Sequence, residues 1–132
     1  MYEAGSSTIL PMTKLNNDNP LSVIRYRALS LLARREYSFV ELLSKLTERL
    51  PDNPDLVEGI VVTLKQQNLQ SDQRFAEMLV ASRIRRGYGP IRIQAELKSR
   101  GVSKNIIELA LIKSGANWLC LAKEALSKKY GS

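Results

Sequence analysis

Residues 34–42 read Arg34-Arg35-Glu36-Tyr37-Ser38-Phe39-Val40-Glu41-Leu42, and residues 85–93 read Arg85-Arg86-Gly87-Tyr88-Gly89-Pro90-Ile91-Arg92-Ile93. At this offset of 51 residues a basic pair, a tyrosine and a small residue recur together, and Leu42 and Leu46 fall on Ile93 and Leu97. Lys128-Lys129-Tyr130-Gly131 returns to the same theme 42 residues after Tyr88-Gly89. A unit of roughly 40–50 residues that recurs in this way marks stacked helical modules. Each copy also carries its own local chemistry. Ser38 followed three residues later by Glu41 is a capping box: the hydroxyl accepts from the third helical N–H, and the carboxylate reaches back to the cap. Tyr37 before that cap and Leu42 at the fourth helical position form a hydrophobic staple, and Tyr88 with Ile93 around Gly89 forms its counterpart.

Outward from these corners the chain reads as helix after helix. Ile24, Ala28, Leu29, Leu31 and Leu32 recur at helical spacing before the first corner. Leu42, Leu43, Leu46 and Leu50 line one face after it, with Phe39. Asn53-Pro54 is a cap followed by a proline at the first helical position, and Val57, Ile60, Val61 and Leu64 follow on a third helix. The order then repeats. Ser71 or Asp72 caps a helix bearing Phe75, Ala76, Leu79, Val80 and Ile84; Gly87 stops it in a left-handed conformation. Gly89-Pro90 starts a helix with Ile93 and Leu97 that stops at Gly101. Ser103 caps a helix with Ile106, Ile107, Ala110 and Leu111 that stops at Gly115. A seventh helix is expected over about 117–129, with Trp118, Leu121 and Leu126 in its core face and Cys120 as a buried, inert thiol. No stretch alternates with period two, so the expected fold is all-α. The expected organisation is a flexible tail (1–20), a first three-helix repeat (21–69), a second (70–115) and one helix of an incomplete third (116–132).

Composition removes whole classes of function. The 132-residue chain has no histidine and one cysteine, so it holds no Ser/His/Asp triad, no histidine-bearing zinc site, no four-thiolate zinc site and no internal disulfide. No carboxylates are paired at catalytic spacing. We therefore expect no catalytic residue, no metal, no cofactor and no enzyme activity. No apolar run approaches the ~18 residues of a membrane span, and residues 1–20 lack a signal-peptide pattern. A monomer in a reducing cytoplasm is the expected setting.

The charge is uneven. The chain carries +7 overall, yet residues 1–82 sum to −1, residues 83–104 to +6 and residues 105–132 to +2. Arg83, Arg85, Arg86, Arg92, Lys98 and Arg100 stand with Lys104 in the basic stretch against Glu96 alone. A one-signed cluster attracts phosphates or an acidic protein surface. Arg34 and Arg35, with Arg25 and Arg27 nearby, form a second, weaker patch diluted by Glu36, Glu41 and Glu48. Gly87-Tyr88-Gly89-Pro90 is turn chemistry rather than a phosphate loop, because no Lys-Ser/Thr follows and no strand precedes it. The tyrosines and Trp118 are expected in the core rather than stacked on bases.

The strings Asp72-Gln73-Arg74-Phe75-Ala76, Arg83-Ile84-Arg85-Arg86-Gly87-Tyr88-Gly89-Pro90 and Arg100-Gly101-Val102, with Ala33-Arg34-Arg35-Glu36-Tyr37-Ser38 upstream, resemble the bacterial regulatory protein RecX family over about residues 20–130. The resemblance implies tandem three-helix repeats in a curved, elongated, right-angled helical array. It also implies a non-enzymatic modulator that sits in the groove of the RecA–DNA filament and mostly restrains recombination, ATP hydrolysis and coprotease activity in DNA repair and the damage (SOS) response. Arg83, Arg85, Arg86, Arg92 and Arg100 match its motif and, with Lys98, are the expected contacts to RecA and to single- or double-stranded DNA. The alternative is a helix–turn–helix that binds nucleic acid directly, without RecA.

Overall fold

The computed structural model describes residues 19–116. They form six α-helices and, among the described residues, no strand: α1 (Pro20–Arg34), α2 (Phe39–Arg49), α3 (Pro54–Gln66), α4 (Asp72–Arg85), α5 (Pro90–Ser99) and α6 (Lys104–Lys113). The expected tail, the seventh helix with Trp118 and Cys120, and the start of a third repeat lie outside these residues, apart from the two junctions. At the first of them, Asn19 and Pro20 belong to α1 rather than to a tail: the Asn19 side chain accepts from Leu21 N at 3.0 Å, and Pro20 opens the helix.

The helices form two triples, each with its own core. In the first, Ile24, Ala28, Leu42, Leu46, Val57, Val61 and Leu64 are sealed from water. In the second, Phe75, Ala76, Val80, Ile93 and Leu97 are equally buried, closed over by Val102, Ile107 and Ala110. Extensive helix–helix packing stays within each triple; α4 packs most broadly on α6. The apolar faces are those that the three-and-four spacing picks out, because burying one stripe per helix is what makes a short helix stable in water.

Helix ends follow the local chemistry. The Ser38 capping box is complete: Glu41 N donates to Ser38 Oγ at 3.1 Å, and Ser38 N donates to Glu41 Oε1 at 3.2 Å. Ser71 is the cap of α4, accepting from Arg74 N, and Asp72 is the first helical residue. Asn53 sits at the cap of α3 but makes no side-chain capping bond; Pro54 starts that helix. Gly87 and Gly101 are left-handed, with φ of 85° and 83°. Each closes a Schellman turn, in which Tyr88 N donates to Arg83 O and Val102 N donates to Leu97 O. After α3, Asn68, with φ of 63°, closes a turn of the same kind, and Leu69 N donates to Leu64 O.

The two triples meet through loops and the first turns of helices, and the junction is largely polar. Ser38 Oγ donates to Arg100 O at 2.7 Å. Asp72 Oδ1 accepts from Phe39 N at 2.7 Å, so a carboxylate opening α4 also stabilises the N-terminus of α2. Buried Gln70 donates to both Tyr37 O and Asp72 Oδ1, leaving its own oxygen without a partner. Arg74 reaches back to Glu36 at 3.0 Å. Gly101 lies directly against Val40: a Cβ at Gly101 would sit 2.6 Å from Val40 Cβ and closer still to Cγ2.

Candidate binding surface

The corner between α4 and α5 is where the basic motif folds. The Schellman turn at Gly87 reverses the chain, and Pro90 launches α5 from Gly89. This brings the last turn of α4 beside the first turns of α5, and it divides the six expected contacts into two groups.

Arg83 and Arg100 face inward. Arg83 makes a bidentate pair with Glu96, Nε–Oε1 at 2.7 Å and Nη2–Oε2 at 2.6 Å, with little side-chain exposure on either partner. Arg100 donates to Glu96 at 3.0 Å and to Glu41 of the first unit. A fork-to-fork pair of this kind is the strong form of ion pair. Hydrogen bonding from Arg83 is the main reason that the Glu96 carboxyl titrates below its ordinary range, reinforced by the fields of Arg83, Arg100 and Arg86 and opposed by burial. The same bond raises the Arg83 pKa. Glu96, the lone acid of the basic stretch, is therefore committed to these two arginines, with Glu41 sharing Arg100, and leaves the other cations of the stretch without an ion pair among the described residues.

Arg85, Arg86, Arg92 and Lys98 face outward. Among the described residues no carboxylate pairs with any of them. The Arg92 guanidinium lies over the Tyr88 ring, 3.7 Å from its centroid, which holds that cation at the corner without neutralising it. Tyr88 itself packs against the second core, as the staple requires. Ile91, 81% exposed, projects beside these cations. Lys98 lines a cleft of about 350 Å³ between α5 and α6 together with Ile91 and Lys104.

The second, weaker patch separates in the same manner. Arg35 turns toward the corner of its own unit: it donates to Glu36 O at 2.7 Å and Glu41 at 3.4 Å, and stacks over Tyr37 at 3.7 Å. Arg34 goes elsewhere, into a cleft between α1 and α2. The two units treat equivalent positions differently for a local reason. Glu41, at the position of Arg92, is held by the Ser38 cap and gathers Arg35 and Arg100. Gly89 offers no capping side chain, and the second unit has a cation where the first has Glu41.

A further cleft, about 450 Å³ between α4 and α6, is lined by none of these arginines; its carboxylate, Glu77, is tied to Lys113 at 3.2 Å. Among the described residues no group of three or more acidic or cysteine side chains is gathered to hold a metal. No helix among them is long and apolar enough to cross a membrane. The i,i+4 spacing of Glu96 and Arg100 is readable from sequence. The pairing of Arg100 with Glu41, 59 residues apart, is not.

Residues 71–111 match the family model described as the second three-helix domain of RecX. A protein named Regulatory protein RecX from Ectopseudomonas mendocina is 45% identical over 114 residues, covering 86% of this chain and 74% of the relative. One of the same name from Chromohalobacter salexigens is 45% identical over 105 residues, covering 80% and 68%. A third, from Halorhodospira halophila, is 39% identical over 109 residues, covering 83% and 67%.

Proposed function

The chain belongs to the RecX family of regulatory proteins, and from that premise we propose that it binds the RecA–DNA filament and modulates, mostly inhibits, RecA. The activities affected are recombination, ATP hydrolysis and coprotease function, in the cytoplasm, with no catalytic chemistry or cofactor of its own. The division into units 21–69, 70–115 and a partial third from 116 belongs to the same reading.

The observation that carries it is the outward group at the α4–α5 corner. Arg85, Arg86 and Arg92 present three guanidinium groups around one tight turn, and no acid among the described residues neutralises them. Such a surface suits the phosphates or acidic side chains of a nucleoprotein filament, since each guanidinium offers a planar fork to an oxyanion. Lys98 extends it along α5. Arg83 and Arg100 contribute by shape: their pairs with Glu96 and Glu41 hold α4, α5 and the first unit in register.

The test is RecA-catalysed ATP hydrolysis on single-stranded DNA, titrated with the protein and with an Arg85→Ala/Arg86→Ala/Arg92→Ala variant. Inhibition by the parent that is weakened in a folded variant supports the reading. No effect of the parent on RecA, together with salt-sensitive retention on DNA, overturns it in favour of direct nucleic-acid binding.

A further inference from the structure

The first unit holds a second cationic site. A cleft of about 180 Å³ opens between α1 and α2, with Arg27 and Arg34 on one wall and Arg49 on the other. Its floor is apolar, made by Leu31 and Leu46, and Tyr26 stands at its rim, 46% exposed rather than in the core where the tyrosines were expected. Arg27 and Arg34 are seven residues apart, so two helical turns, ~10.5 Å of rise, separate them on one face. α1 contains Arg25, Arg27 and Arg34 and no acidic residue. Glu48, the acid next to Arg49 in sequence, lines a different cleft with Arg35 and Lys45. Among the described residues, none of the three arginines of the cleft has a carboxylate partner.

Tyr26 differs from the other two described tyrosines. The rings of Tyr37 and Tyr88 are each covered by a guanidinium at 3.7 Å. Among the described residues no cation stacks on Tyr26. The cleft thus combines convergent guanidinium forks with an open aromatic face, the two elements by which single strands are held: cations on the backbone and a ring under a base. An acidic peptide would satisfy the arginines but would leave the ring without a stacking partner. Helix-dipole compensation accounts for Arg34 and Arg49, which end their helices, but not for Arg27 two turns earlier or for the exposed ring.

We propose that this cleft is a binding site for single-stranded nucleic acid, with Arg27, Arg34 and Arg49 on phosphodiester oxygens and a base on Tyr26. It goes beyond the α4–α5 surface and requires no RecA.

The experiment uses the full chain and an oligothymidylate carrying 5-iododeoxyuridine, with photocross-links mapped by mass spectrometry and affinity followed by fluorescence anisotropy over a salt series. The expected cross-link is at Tyr26, and it persists in an Arg85→Gln/Arg86→Gln variant. Tyr26→Leu weakens binding about 5-fold or more, the loss of one base stack, whereas Tyr26→Phe retains it. An Arg27→Gln/Arg49→Gln variant lowers the log–log salt slope by about 0.7 per arginine. Cross-links confined to residues 83–104, or equal affinity for Tyr26→Leu and the parent, overturn the proposal. So does displacement by polyglutamate as effective as by unlabelled oligothymidylate, which would assign the cleft to acidic protein. Because RecA is absent, a negative result here leaves the filament reading standing, and the converse also holds.

Discussion

Gly101→Ala probes the junction between the two units. Two costs are combined at that position. The left-handed backbone, φ of 83°, costs an alanine about 1–2 kcal/mol. The new methyl would also stand 2.6 Å from Val40 Cβ, well inside contact distance, and overpacking of this kind costs about 1–3 kcal/mol more. Gly87 is an internal control: its φ is 85°, yet beyond its own chain neighbours no atom lies within 4 Å of the place its Cβ would take. Gly87→Ala therefore costs only the backbone share, about 1–2 kcal/mol, and Gly101→Ala about 2–5 kcal/mol. The assay is urea denaturation followed by far-UV circular dichroism. A double-mutant cycle with Val40→Gly isolates the contact, since the helix-propensity cost of that glycine cancels in the cycle. We expect a favourable coupling of about 1–3 kcal/mol, the overpacking share that the cycle removes. Equal losses for the two glycines, or zero coupling to position 40, would refute the close approach of the α5–α6 turn to α2.

Two further outcomes test the same network. Ser38→Ala removes a cap and leaves Arg100 O without its hydroxyl donor; we expect a loss of about 1–2 kcal/mol in denaturant, with faster amide exchange at Glu41, whereas Ser38→Thr retains most of the stability. Glu96 titrates below its unfolded value of about 4.3, so its pairing stabilises the folded chain fully above that pH and is lost as pH falls through the lower folded value. Glu96→Gln should therefore lower thermal stability at neutral pH and flatten the acid limb of a melting-temperature profile; an unchanged profile would show that Arg83 gains nothing from the charge.

The six described helices, their order and the face each buries were legible in the sequence because the forces that set them are local. Capping bonds, a left-handed glycine and three-and-four spacing act within a turn or two of helix, so Ser38, Gly87, Gly101 and the leucine stripe announce themselves. The repeat was legible for the same reason: Tyr37 and Tyr88 serve equivalent corners. Asn68 is also a left-handed stop, made by the non-glycine residue that most readily takes that conformation.

The use of each arginine was decided by tertiary structure. Charge summed along residues 83–104 counts Arg83 and Arg100 with Arg85, Arg86 and Arg92. Folding sorts them, because a guanidinium reaches across an interface to whatever carboxylate the backbone presents. Glu96 takes Arg83 from the preceding helix, and Glu41 takes Arg100 from 59 residues away. The adjacent pair Arg34 and Arg35 is split, one into the α1–α2 cleft and the other onto Tyr37. Arg49, isolated in sequence, joins Arg27 and Arg34 only when α2 folds back along α1. Sequence alone determined that the chain is basic and built of capped, amphipathic helices in repeat; only the packed structure decided which cations pair with an acid among the described residues and which do not, since ion pairing depends on distances that no local rule specifies.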